Sequence, residues 1–89
     1  MPLLKVVQNG LSHSGKIVQS YKLNEAKRPV LVGKIPQIGC VLAVGNHSPY
    51  DFWATTDIIE IIKTDGNYFR FKTLNNEYEF WIDENVNLP

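Results

Sequence analysis

The sequence predicts an all-β domain, a small barrel or sandwich of about five to six antiparallel strands that ends in a three-strand meander. Short β-branched and aromatic runs recur along the chain, several with strict apolar–polar alternation. Gly, Pro, Asn and Asp punctuate those runs at short intervals, and no long stretch has helical period. The 89 residues suit a single domain, 1–89.

Leu3 to Val7 reads as a first strand ended by Asn9-Gly10. Lys16 to Leu23 alternates around Ile17, Gln19 and Tyr21, and Asn24 to Arg28 is a polar loop or one helical turn. Pro29 to Ile35 is a β-branched run stopped by Pro36, with a bend at Gly39. Cys40 to Val44 follows, closed by Gly45-Asn46, and then a polar and aromatic loop from His47 to Trp53. The meander opens with the isoleucine-rich Thr55 to Thr64 and turns at Asp65-Gly66, the strongest short hairpin signal in the chain. Tyr68 to Thr73 places Phe69 and Phe71 on one face and Tyr68, Arg70 and Lys72 on the other. Asn75-Asn76, residues that tolerate positive φ, form the next turn. Glu77 to Asp83 sets Tyr78, Phe80 and Ile82 inward against Glu77, Glu79 and Trp81. The expected inward set of the meander is Ile58, Phe69, Phe71, Tyr78 and Phe80.

Composition narrows the class. A 44% hydrophobic chain has enough apolar side chains for a core. Cys40 stands alone, so no disulfide framework forms within the chain, which fits a reducing, cytoplasmic setting. No run of about 18 apolar residues exists to span a membrane, and Met1-Pro-Leu-Leu-Lys-Val-Val turns polar too soon for a signal peptide. The formal charge of zero is unevenly spread. Through Cys40, Lys5, Lys16, Lys22, Lys27, Arg28 and Lys34 face Glu25 alone; beyond it eight acids face Lys63, Arg70 and Lys72. That polarity would steer an acidic partner or let two copies meet head to tail, unless interleaved strands mix the charges over the surface.

Three local features carry a resemblance: Ile35-Pro-Gln-Ile-Gly39, Trp53-Ala-Thr-Thr-Asp-Ile-Ile-Glu-Ile-Ile62 and Thr73-Leu-Asn-Asn-Glu-Tyr-Glu-Phe80. Together they resemble small uncharacterised bacterial and phage proteins with a Thr-Ser-x-Val-x-x-Ile strand followed by Thr-x-Asn-Ser-x-Tyr. The resemblance spans Ile35 to Phe80, with departures at Asp57 and Asn76, where that pattern prefers serine. It implies a small SH3-like β-barrel in which Thr73, Asn75 and Tyr78 lock the last turn, and it implies no catalytic residue.

Each patch of possible chemistry has a plainer alternative. Gly10-Leu-Ser-His-Ser-Gly15-Lys16 has the spacing of a phosphate-binding loop. Ile17 replaces the hydroxyl residue that would hold magnesium, and the segment after it reads as strand, so a Gly-rich hairpin loop explains it better. Cys40 with His13 or His47 would be a nucleophile–base pair, but a cysteine opening an apolar strand behaves as a small buried hydrophobe. His47 and Asp51 share a loop without the further ligands a metal needs. Ser48 to Trp53 is an aromatic loop suited to partner contact, or else Phe52 and Trp53 cap the core, leaving Tyr50 outside. Tyr68, Arg70 and Lys72 mix ring and cation as a single-strand nucleic-acid platform does, but Glu60, Glu77 and Glu79 on neighbouring strands would neutralise them.

The sequence therefore predicts a non-enzymatic binding or adaptor module without cofactor, metal or membrane span. Its expected partner is a protein, held by Tyr50, Phe52, Trp53, Tyr68, Arg70 and Trp81. The alternatives are nucleic-acid or nucleotide binding through the basic first half, and a self-assembling phage or structural subunit, a homo-oligomer.

Overall fold

The computed structural model describes residues 1–46 and 51–83. Nine strands are formed among them: β1 Leu3–Val6, β2 Ser12–Ser14, β3 Ile17–Leu23, β4 Pro29–Gly33, β5 Val41–Gly45, β6 Trp53–Ala54, β7 Ile58–Asp65, β8 Tyr68–Thr73 and β9 Glu77–Trp81. They form two antiparallel sheets, one in the order β2-β1-β9-β8-β7 and one in the order β4-β3-β5-β6. The all-β antiparallel architecture is as expected; neither sheet closes on itself into a barrel, and the two lie over a shared core. The count exceeds the expected five to six, and two of the additional strands, β2 and β6, are three and two residues long, too short for alternation to register.

The core draws on both sheets. Leu4, Ile58, Phe69, Phe71, Tyr78 and Phe80 come from the first and Val18, Leu42 and Val44 from the second, all nearly or fully buried. The five meander residues expected inward are all in this cluster. Burial of such side chains contributes about 1.5–3 kcal/mol each, which is how a short chain of strands offsets its ordering entropy. Phe71 stacks on Tyr78 with centroids 5.3 Å apart, and Phe69 meets Phe80 at 6.2 Å. One corner ties the sheets by backbone: the Ile58 N–H donates to the Cys40 carbonyl (2.9 Å) and the Gly39 N–H to the Ile58 carbonyl (2.8 Å).

Turn chemistry explains the connections. The loop between β7 and β8 is Gly66-Asn67, one residue beyond the expected Asp-Gly pair, because Asp65 pairs with Tyr68. Gly66 has φ +61, a conformation nearly free of cost only for glycine. The last turn is held by Thr73 and Asn76 rather than Asn75. The Thr73 N–H donates to the Asn76 carbonyl (2.9 Å), the Asn76 N–H to Thr73 Oγ1 (3.3 Å), and Asn76 Nδ2 reaches the Tyr78 hydroxyl (3.4 Å). The turn forms at the expected asparagines, and neither uses the positive φ that the residue type tolerates. At the β3–β4 tip, the Arg28 N–H donates to Asn24 Oδ1 (3.0 Å) and Lys27 sits at φ 60.

The Gly10–Lys16 segment is not a phosphate loop. Ser12–Ser14 is strand β2, paired with β1, and Ile17–Leu23 is strand β3. Gly15 is required by packing: a Cβ there would fall on the Gly45 carbonyl, inside the 3.0 Å that real Cβ atoms keep.

Candidate functional site

The described end of the aromatic loop, Asp51 to Trp53, forms a corner that joins the sheets. Trp53 on β6 pairs in register with Val44, and its ring stacks on His13 of β2 at 5.1 Å and 13°. The His13 Nε2–H donates to the Asp51 carbonyl at 2.6 Å, with the Asp51 carboxylate 3.7 Å from the same nitrogen. The Asn46 N–H in turn donates to Asp51 Oδ2 (2.9 Å), and the Lys16 N–H to Asn46 Oδ1 (3.1 Å). The Phe52 ring lies so close to Gly45 that a Cβ there would be 2.7 Å from it. Phe52 and Trp53 are half-buried, and Trp53 packs on the core. Trp53 thus packs where a core cap would, and Phe52 lies against the backbone of Gly45. Tyr50 and His47 lie outside the described residues.

Tyr68, Arg70 and Trp81 do share one surface, the outer face of β8 and β9. Tyr68 and Trp81 are opposite each other in register, with rings 5.3 Å apart and tilted by 53°. The Tyr68 hydroxyl donates to Glu79 Oε2 at 2.6 Å, and Arg70 bonds the Glu77 carboxylate. Lys72 opposes Glu77, and on the next strand Lys5 opposes Glu79. Desolvation, and then the Glu79 hydrogen bond and charge, push the Tyr68 pKa up to about 12. Cations and acids alternate across this face, so it offers a phosphate backbone no continuous positive track.

The remaining candidate chemistry is dispersed. Cys40 is 2% exposed in the wall of the core, and His13 is engaged by Asp51 and Trp53. No group of three or more His, Cys, Asp or Glu residues is placed to hold a metal ion among the described residues. No helix among the described residues is long and apolar enough to cross a membrane.

The surface that sequence reasoning missed is the β3–β4 hairpin. Every residue from Lys22 to Val32 is exposed. Leu23 (63%), Val30 (44%), Leu31 (54%) and Val32 (44%) are among them. β4 is an edge strand, and a pocket of about 250 Å³ runs along Leu23, Val30 and Val32 beside Lys22 and Asn24. A second, larger depression of about 590 Å³ lies near β7, lined by Val41, Thr55, Thr56, Asp57, Ile59 and Leu74. Nothing in the continuous run Pro29-Val-Leu-Val tells an interior strand from an open one, because alternation fails when both faces are equivalent, whether both are buried or both are open. A clue was present: Lys27-Arg28 and Lys34 bracket the run closely, as suits solvent rather than core.

Fold and surface together define a two-sheet all-β domain with an apolar, basic hairpin at one sheet edge. No protein-family model, curated protein or solved structure matches the chain.

Proposed function

We propose that this chain is a non-enzymatic binding module that makes protein–protein contact, and that the contact lies on the β3–β4 hairpin. The observation that carries this reading is the unbroken exposure of Lys22 to Val32, with four large apolar side chains in eleven residues. Among the described residues, twelve large hydrophobics are exposed, and Leu23, Val30, Leu31, Val32, Ile35 and Ile38 belong to this hairpin and the loop after it. Half of the exposed large apolar side chains thus fall on one short segment. Clustered apolar surface of that kind marks an interaction site far better than scattered residues do. An unpaired edge strand adds a row of free backbone donors and acceptors for a partner to meet.

The aromatic residues first expected to make the contact fit the role less well. Phe52, Trp53, Tyr68 and Trp81 each spend a ring face on an intramolecular neighbour. Kinship with SH3-like barrels remains part of the proposal; two antiparallel sheets over one core and the Thr73–Tyr78 turn support it. A photo-crosslinking side chain placed at Leu31 tests the reading in cells that express the chain, with Leu11 in the β1–β2 turn as the control. Protein adducts at Leu31 and none at Leu11 are expected. Nucleic-acid adducts at Leu31, or no adduct at all, would reject protein contact at this surface.

A further inference from the structure

We propose that the hairpin's partner is a second copy of this chain, seated in the depression beside β7, so that copies join head to tail. The proposal rests on the protein-contact reading above and names its occupant. Three observations carry it.

The first is apolar complementarity. The hairpin presents Leu23, Val30 and Val32 along one pocket. The depression presents Val41, Ile59 and Leu74, with Ile59 54% and Leu74 80% exposed. Both surfaces stand open in the single chain, so a chain does not fill its own depression with its own hairpin.

The second is charge. From Lys22 to Lys34 the hairpin and its exit hold Lys22, Lys27, Arg28 and Lys34 against Glu25, all exposed. The depression is lined by one charged residue, the exposed Asp57, and β7 beyond it carries exposed Glu60 and Asp65 against Lys63, with Lys72 opposite Glu60 on β8. Head-to-tail docking brings the basic segment to the acidic one. A two-fold pairing of hairpin with hairpin would instead face four cations with four cations, which like-charge repulsion opposes.

The third is the character of β7. Its pairing with β8 slips between Ile58 and Glu60 and again between Ile61 and Lys63, leaving Ile59 and Ile62 as extra residues. Such bulges bend an edge and spoil it as a template for strand addition. The same bulges hold Ile59 out beside the depression, so the contact is a hairpin laid into a groove and read by side chains. Because the two docking surfaces differ, the contact is heterologous, and successive copies build a ring or an open filament.

Val30→Asp disables the hairpin and Leu74→Asp disables the groove; both sites are exposed, and circular dichroism verifies that each variant is folded. Sedimentation velocity should show the wild-type mass rising with concentration beyond a dimer. Each variant alone should stay monomeric up to about 1 mM, a range that captures even weak contacts. An equimolar mixture of the two should give a one-to-one dimer and nothing larger, since only one good hairpin and one good groove remain. Salt near 1 M, where screening acts within about 3 Å, should weaken assembly. A monomeric wild type, a mixture that stays monomeric, assembly indifferent to Leu74→Asp, or assembly indifferent to salt would each overturn the proposal. A monomeric wild type whose Leu31 probe still crosslinks another protein rejects self-docking and leaves the protein-contact reading standing.

Discussion

Gly15→Ala gives the sharpest test of how the two sheets meet. Gly15 is not among the positive-φ glycines, so alanine meets no left-handed strain there. In an open hairpin loop the change would be mildly stabilising, by about 0.4–1 kcal/mol, because alanine restricts the unfolded chain. Here the new methyl would land on the carbonyl, carbonyl carbon and Cα of Gly45, all backbone atoms and all inside the 3.0 Å limit. Relief means separating the β2–β3 junction from the end of β5. That movement loosens the Ile17–Gly45 register, the Gly15 N–H bond to the Pro2 carbonyl (3.2 Å) and the Lys16 N–H bond to Asn46 (3.1 Å). Overpacking at about 1–3 kcal/mol and two strained hydrogen bonds at about 0.5–1.5 kcal/mol each, less the gain from the restricted unfolded chain, place the net loss at about 1–5 kcal/mol. Urea unfolding followed by tryptophan fluorescence reads this as a fall in midpoint of about 1 M or more. The control is Gly66, where a Cβ meets nothing within 4 Å but φ is +61. Gly66→Ala should cost about 1–2 kcal/mol through backbone strain alone, and Gly66→Asn should recover much of it. Gly15→Asn should be worse than Gly15→Ala. A Gly15→Ala protein as stable as wild type would refute the close approach of β2–β3 to β5.

Three further outcomes are expected. Phe71→Ala, at a fully buried ring stacked on Tyr78, should lower stability by about 3–5 kcal/mol in the same urea assay, a large share of what a domain this size possesses. Two buried hydroxyls should behave oppositely. Thr55 Oγ1 accepts from the Leu42 N–H (3.0 Å) and donates to the Thr56 carbonyl (2.8 Å), so Thr55→Val should cost about 1–3 kcal/mol. The Ser20 hydroxyl is fully buried without a partner among the described residues, so Ser20→Ala should be neutral or stabilising by up to about 1 kcal/mol. Tyr68 has a folded-state pKa raised above its ordinary 10.0 to about 12, so the folded chain keeps a proton that the unfolded chain releases. Its contribution is complete below pH 10 and is lost as pH rises towards 12. Ultraviolet titration should show the highest tyrosinate step vanish in Tyr68→Phe and move down in Glu79→Gln.

The meander was legible because its information is local. Phe69, Phe71, Tyr78 and Phe80 alternate with charged or amphipathic neighbours, and alternation reports directly that one face is buried. Gly66 announced its turn for an equally local reason, and the cross-strand neutralisation of Arg70 by a neighbouring carboxylate follows from which residues share that face. What alternation does not report is which strand supplies the opposing surface. β1 pairs with β9, Leu3 opposite Trp81, and nothing near either strand specifies the other. The His13–Trp53 stack likewise joins residues that only the docking of two sheets brings together. The exposure of the hairpin was hidden for a related reason. Val30, Leu31 and Val32 have the composition of an interior strand, and only the absence of a covering neighbour turns them into surface.

The β1–β9 pairing has a consequence for how the chain matures. In its sheet β1 lies between β2 and β9, so one whole edge of the first strand waits until residues 77–81 have been synthesised. Until then Leu4, which ends fully buried, has no Phe80 beside it. Topologies closed by such distant segments fold slowly, over milliseconds to seconds, because a long loop must be ordered before its contacts repay the cost. A ribosome stalled before Glu77 therefore holds no half-built domain, only an adhesive intermediate whose inner faces are open to chaperones and to each other.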